Sequence, residues 1–188
     1  DINDSAAAEV LAEIESHGLT SKYYRVDVSQ VEPICRMIDS VAEEFGSVDI
    51  LVNNAGTLST SSIADLDEAE WDRTMNINTK GAVFATKQAL KYMIPQKWGR
   101  IINISSIAGR MGGYSAGCAY SASKSALIGM TMNIARKVGS DNITVNAVAP
   151  GTTKTDMVKG FTKEELEGLE KTLLMGKLIN PENIADTV

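Results

Sequence analysis

Apolar positions recur along the chain with a helical period in some stretches and as short unbroken runs in others. Ala7, Val10, Leu11 and Ile14 fall on one face of a helix that the Asn3-Asp4-Ser5 cluster caps and His17-Gly18 ends. Residues 23–28 then read as a short strand. Ser29 and Glu32 predict a capping box before a helix that turns Val31, Ile34, Ile38, Val41 and Phe45 inward, with Gly46 closing it. Residues 48–52 form a nearly continuous apolar run, the pattern of a parallel strand buried on both faces, and lead into Asn53-Asn54-Ala55-Gly56. A long helical region follows over residues 66–93, with Asp67 as its cap, Gly81 as a point of interruption and Pro95 as its end. Residues 100–105 read as a second buried strand. A glycine-rich loop then leads to a helix beginning at Tyr120, and residues 142–148 give a further apolar strand stopped by Pro150-Gly151. Beyond it lie a polar helix over residues 162–174 and another that starts with Pro181 at its first position. Strand alternating with helix four times predicts a doubly wound parallel sheet, three layers deep in the order α/β/α.

Composition narrows the chemistry more than it changes the fold. The 188 residues are 44% hydrophobic and 22% charged, ordinary for one globular domain spanning residues 1–188. A net charge of -6 with no basic run argues against nucleic acid or an anionic membrane as a partner. The two cysteines, Cys35 and Cys118, form no C-x-x-C pair, which fits a reducing, cytoplasmic setting. Cys118 lies two residues before Tyr120 but has no partner base in the sequence. The single histidine, His17, sits in a helix-ending loop, so Ser-His-Asp, Cys-His and His-ligated metal chemistry are not expected, and no metal site is read. No run of about 18 apolar residues is present, and the opening residues lack the pattern of a signal peptide.

Candidate chemistry concentrates in residues 106–124. If Tyr120 begins a helix, Lys124 stands one turn further along the same face. A tyrosine pKa near ~10 must fall by roughly three units, about 4 kcal/mol, for the phenol to act as an acid/base at neutral pH. A neighbouring ammonium supplies part of that by stabilising phenolate, so Lys124 is expected to lower the pKa of Tyr120.

Six short motifs then stand in a fixed order: Asp27-Val28, Asn53-Asn54-Ala55-Gly56, Asn78-x-x-Gly81, Ser106, Tyr120-x-x-x-Lys124 and Pro150-Gly151-x-x-x-Thr155. In that order the chain resembles, nearly end to end, the short-chain dehydrogenase/reductase family in its single-domain alcohol and carbonyl oxidoreductase branch, with a Rossmann-type fold. The resemblance implies that Tyr120 is the acid/base at the substrate oxygen and that Ser106 bonds the same oxygen, with Ser105 the competing serine. It implies that Lys124 tunes Tyr120 and grips the nicotinamide ribose, and that Asn78 holds a water linking Lys124 to solvent. Asn54, Ala55 and Gly56 would pack on the adenosine ribose, and Asp27 and Val28 would contact adenine. Pro150, Gly151, Thr153 and Thr155 would cover the carboxamide. Asp1, read as an acid ending a strand, would bond the adenosine ribose hydroxyls and favour NAD over NADP; its other reading is a helix-capping residue.

The family's glycine-rich phosphate turn, the strand before it and the final strand have no counterpart in the sequence. The expectation is a piece of a longer chain that folds poorly alone. On the resemblance, the activity is hydride transfer between NAD or NADP and a small-molecule secondary alcohol or ketone: a polyol, a ketose or a 3-oxoacyl compound. A catalytically retired dinucleotide-binding sensor or scaffold is the alternative, against which Asn78, Ser106, Tyr120 and Lys124 stand together. An epimerase or dehydratase would need a larger substrate domain after Pro150. Residues 110–117 and 155–175 are expected to line the substrate pocket, and the long helices to form a homotetramer or dimer.

Overall fold

The computed structural model describes residues 1–188 except 114, 115, 156, 157 and 159. These five fall in the segments 110–117 and 155–175 expected to line the substrate pocket, so that part of the expectation lies outside the described residues. Helix α1 (Asp4–Ser16) begins where the polar cluster predicts, the Asn3 side chain accepting from the Ala6 amide, and ends at His17. Helix α2 (Val31–Phe45) is capped at its far end by left-handed Gly46, but the Ser29–Glu32 box is absent: Gln30 is the N-cap and offers no side-chain bond. Ser29 instead gives its amide to Asp27, which closes a tight turn and removes Ser29 from the cap position.

Strands β1 (Ile50–Asn53), β2 (Gly99–Ile104) and β3 (Ile143–Val148) form a parallel sheet in that order. In register, Leu51 faces Ile101 and Ile101 faces Val145, so these side chains share one face. Against that face pack Ala85, Ala89 and Met93 of helix α4 (Gly81–Gln96) and Val138 at the end of helix α6 (Cys118–Val138), with Ile34 and Ile38 of α2 alongside. Tyr92 of α4 donates to Asp39 of α2 at 2.5 Å, and Gln88 donates to the same carboxylate. The Tyr92 hydrogen bond leads in holding the Asp39 carboxyl below its usual range.

Three sequence expectations are corrected here. Residues 23–28 are extended, but no strand is assigned to them. Their backbone ladder contact is with Asp1, whose carbonyl accepts the Val26 amide at 3.1 Å, and a strand exists only where its ladder is filled. Strand β1 is not buried on both faces: Ile50 is 59% and Val52 42% exposed, because the helices that cover the sheet pack on the side of Leu51. The helix over residues 66–93 is not interrupted at Gly81. Helix α3 (Glu68–Met75) passes through a π-helical turn (Asn76–Lys80) into α4, whose last turn contains Pro95.

Past β2, the short helix α5 (Ala108–Met111) packs on α6, which starts at Cys118, two residues before the expected Tyr120. Helix α7 (Lys163–Thr172) opens with a full capping box between Thr162 and Glu165, and α8 (Pro181–Ala185) opens on its proline as predicted. Among the described residues no helix is long and apolar enough to cross a membrane, and no cluster of metal-ligating side chains occurs.

Gly81 shows why the junction of the π turn and α4 tolerates no side chain. A Cβ there would lie 2.6 Å from the Val28 carbonyl oxygen, a backbone atom that cannot swing away. Gly81→Ala is therefore expected to cost about 1–3 kcal/mol in urea denaturation. Gly129→Ala, on an α6 position with nothing within 4 Å, is expected to gain about 0.5–1 kcal/mol from helix propensity.

Candidate active site

Helix α6 brings Tyr120, Ser123 and Lys124 to one face at helical spacing, and all three are buried. The Lys124 ammonium donates to the Ile104 carbonyl at the end of β2, at 2.8 Å, while the Ser105 hydroxyl donates to the Lys124 carbonyl, also at 2.8 Å. Strand end and helix are thus joined twice. Ser105 is committed to this joint, which separates it from Ser106. The Ser106 oxygen accepts from the Ala108 amide at 3.1 Å as α5 begins, and its hydroxyl reaches Tyr120. Gly109 lets α5 sit this close to α6: a Cβ on it would stand 2.7 Å from the Lys124 carbonyl carbon.

From the opposite side the π turn aims Asn78 inward. Its oxygen accepts the Thr57 amide at 2.8 Å, and its nitrogen donates to the Thr57 carbonyl and the Ser123 hydroxyl, both at 2.9 Å. These bonds commit the Asn78 amide to the Thr57 backbone and to Ser123. They clamp the chain just after Gly56, whose open side faces both Asn78 Oδ1 and Lys124 Nζ at 3.4 Å from a built Cβ. The structure therefore gathers Gly56, Asn78, Ser106, Tyr120 and Lys124 in one place.

Val28, Asn54 and Ala55 line a neighbouring cleft of about 100 Å³, closed below by Ile34, Gly81 and Ala85. Asp27 is absent from its lining. It is exposed, and its Oδ1 accepts the Ser29 amide. Asp1 accepts the amides of Ile2 and Asn3 through its Oδ1 at 2.6 and 2.9 Å, ahead of the helix whose cap is Asn3, and its backbone stands across from Val26. Pro150 joins the site by accepting the Ile107 amide at 2.9 Å. Gly151 and Thr153 lie on a turn stitched to Ile179 by a backbone bridge, and Thr155 lines a separate cleft beneath α7.

Electrostatics in the site corrects one expectation. Burial pushes the Tyr120 phenol above its usual pKa, and the hydrogen bond with Ser106 works in the opposite direction; Lys124 is not what lowers it. The ammonium lies over the Tyr120 ring, 5.7 Å from its centroid. Burial in turn lowers Lys124 from 10.5 to about 8. Among the described residues Nζ makes one hydrogen bond, so two of its three N–H groups remain to bind ligand hydroxyls or water.

The sequence reading missed a second polar layer beneath the site. Asn53 donates to Thr86 at 3.1 Å and to Asn103 at 2.8 Å, Asn103 donates to Thr131 at 2.8 Å, and Thr131 donates to the Leu127 carbonyl at 2.7 Å. The signal was an asparagine inside the otherwise apolar run of β2.

A family model described as short chain dehydrogenase matches residues 1–166. The chain belongs to the short-chain dehydrogenase family. It is 41% identical to a 3alpha-hydroxysteroid dehydrogenase of Mediterraneibacter gnavus over 153 residues, 81% of this chain and 61% of that protein. It is 34% identical to the 3-oxoacyl-[acyl-carrier-protein] reductase FabG of Thermotoga maritima over 176 residues, 93% of this chain and 71% of that protein. The chain thus spans between three fifths and three quarters of these relatives' lengths. Among solved structures, NAD+-bound xylitol dehydrogenase superposes with a TM-score of 0.92 at 28% identity, covering 100% of this chain and 78% of that one. ElxO with NADP bound gives 0.90 at 29%, covering 100% and 77%. These neighbours share the Rossmann-type parallel sheet with flanking helices.

The depressed Lys124 pKa has a measurable consequence. The unfolded chain keeps this lysine protonated to about pH 10, whereas the fold releases the proton near pH 8. Below pH 8 the fold bears a desolvated ammonium, and that cost disappears as pH rises through the window between the two values. Relative to Lys124→Met, the native protein is expected to gain about 2 kcal/mol between pH 7.5 and 9.5 in urea denaturation. Parallel pH curves for the two proteins would show that the ammonium is solvated.

Proposed function

We propose that this chain is the nucleotide-binding and catalytic core of an NAD(P)-dependent oxidoreductase that interconverts a secondary alcohol and a ketone. The observation that carries the reading is the buried Lys124 ammonium with two uncommitted N–H groups, set between Tyr120 and the open side of Gly56. A buried cation with unspent donors is costly unless a ligand supplies oxygens. Ribose hydroxyls meet that demand, and Gly56 leaves room for them. Nicotinamide, when bound, supplies the hydride and its acceptor.

The protein groups divide the remaining work. Tyr120 gives its phenol proton to the ketone oxygen in reduction and takes it back in oxidation. Ser106, beside the phenol, donates to the same oxygen and holds it in place. Lys124 binds ribose through its two uncommitted N–H groups. Asn78 fixes the Thr57 backbone and, through Ser123, the turn of α6 that carries Tyr120; a water relay from Lys124 would pass beside it.

For the rest of the cofactor, Val28, Asn54 and Ala55 offer an apolar cleft for adenine. Pro150, Gly151, Thr153 and Thr155 form the covering turn, and Asp27 stands exposed nearby. Asp1 keeps one carboxylate oxygen free of protein bonds, which supports NAD over NADP. Arg25, the nearest guanidinium in sequence, is paired with Asp4 rather than free for a 2'-phosphate. Substrates in the range of the relatives, hydroxysteroids, 3-oxoacyl compounds and polyols, are the candidates. Association through α4 and α6 is supported by Ile94 and Met132, 38% and 58% exposed on those helices.

The test is made on the intact protein. NADH is expected to bind more tightly than NADPH in a nicotinamide-fluorescence titration, and absence of binding by either would end the oxidoreductase reading. Tyr120→Phe is expected to lower turnover at least 100-fold with the NADH Kd unchanged.

A further inference from the structure

The first turn of α6 has no side-chain cap of its own. Its N-cap is Gly117, and the described residue before it, Ala116, offers no capping hydroxyl or carboxylate. What holds Gly117 is a different part of the chain, the loop of residues 57–61 between the Asn54-Ala55-Gly56 turn and α3. The Gly117 amide donates to the Ser59 carbonyl at 2.7 Å, and the Gly117 carbonyl accepts the first helical bond, from Ser121, at 3.1 Å. The packing admits no side chain: a Cβ on Gly117 would stand 2.7 Å from the Ser61 carbonyl oxygen and 3.1 Å from that of Ser59. Tyr120 lies one turn beyond this contact.

The loop is fixed at two points. At its start, Asn78 grips both backbone groups of Thr57. At its end, the Ser61 hydroxyl donates to the Glu70 carboxylate of α3 at 2.5 Å. Ser59, buried to 3% exposure, also turns its hydroxyl toward Glu70, although that oxygen has no partner meeting full hydrogen-bond geometry. Glu70 is itself anchored, its amide on the Asp67 side chain at 2.7 Å and its carbonyl on the Thr74 hydroxyl at 2.7 Å. The two serines, Ser59 ahead of Ser61, hold the Glu70 carboxyl below the usual carboxylate range, with Arg73 adding to the effect.

We propose that Glu70 is a positioning residue for Tyr120: by binding the loop of residues 57–61 it fixes where α6 begins, and so where the phenol stands. The inference rests on the assignment of Tyr120 as the acid/base, but its first test does not. Glu70 touches neither Tyr120 nor Lys124; its influence passes through Ser61, the loop backbone and Gly117. Glutamine keeps an acceptor oxygen for Ser61, whereas alanine leaves the Ser61 hydroxyl without this partner.

Amide hydrogen exchange in the intact protein, with no cofactor added, is the direct readout. In Glu70→Ala, exchange of the Gly117 and Ser121 amides is expected to rise about tenfold, with β2 unaffected and Tm unchanged, and Glu70→Gln is expected to restore most of the protection. With NADH and ethyl acetoacetate as the ketone, Glu70→Ala is expected to lower kcat at least fivefold while the NADH Kd stays within twofold, again with recovery in Glu70→Gln. Wild-type exchange at Gly117 and Ser121 in Glu70→Ala overturns the proposal, as does faster exchange with an unaltered kcat. With a wild-type protein inactive on this ketone, the exchange result alone decides the proposal, and NADH binding decides the oxidoreductase reading.

Discussion

A lysine ammonium that is 4% exposed and bonded to one carbonyl is the constraint around which the rest of the site is arranged. Removing an ammonium from water costs several kcal/mol unless hydrogen bonds replace the lost hydration. Here one replacement comes from the strand end at Ile104, and the reciprocal bond from Ser105 to the Lys124 carbonyl fixes the helix against that strand. Gly109 and Gly56 are the positions where chain passes close enough that a side chain would meet the lysine or its backbone. The burial that makes Lys124 costly also keeps its remaining donors out of competition with bulk water. A group poised in this way binds ligand oxygens more strongly than an exposed lysine does.

The asparagine layer answers a related problem. Asn53 and Asn103 are register partners on adjacent strands; Asn103 is 0% exposed, so its amide has no access to water, while Asn53 is half-buried. Each of these donors finds an acceptor: Asn53 in Thr86 and Asn103, Asn103 in Thr131, and Thr131 in the Leu127 carbonyl. A buried network closed in this way specifies one arrangement, because sliding α6 by a residue would strand several polar groups at once. It lies one residue before the Asn54 turn on β1 and one residue before Ile104 on β2. The layer that sets the sheet-to-helix register therefore also sets the distance between the two halves of the site.

Most of this was legible in the sequence where local chemistry decides the outcome. Asn3, Asp67 and Gly46 mark helix ends because a cap or a left-handed residue is a local requirement, and Tyr120 with Lys124 share a face because the helical period puts them there. The failures have tertiary causes. Residues 23–28 have the composition of a strand, yet a strand needs a neighbour that composition cannot supply. Ser29 lost the capping position because Asp27 took its amide into a turn. Gly81 looked like a break, but it is there for the close approach of Val28, and the π turn before it absorbs the irregularity. Ser105 and Ser106 could not be told apart by position alone; they differ in which of them the Lys124 carbonyl occupies.

The phenol itself shows how far geometry fixes chemistry before any ligand is present. Burial raises Tyr120, so at neutral pH the proton stays on the oxygen, and the Ser106 hydroxyl offsets only part of that shift. With a pKa of about 8, Lys124 is mostly charged at pH 7, yet it lies over the ring rather than against the oxygen. On the proposed function, the resting site is therefore arranged as a proton donor, suited to meeting a carbonyl oxygen as negative charge develops on it. Running the same site toward ketone formation requires the phenol to lose its proton first. That step is favoured by higher pH or by additional positive charge beside the ring. Ser106 assists in either direction, because a hydroxyl both donates to an oxyanion and accepts from an alcohol, whereas Lys124 only donates. The two residues are thus not interchangeable neighbours of Tyr120: on the proposed function, one orients the substrate oxygen, and the other holds the ribose of the cofactor.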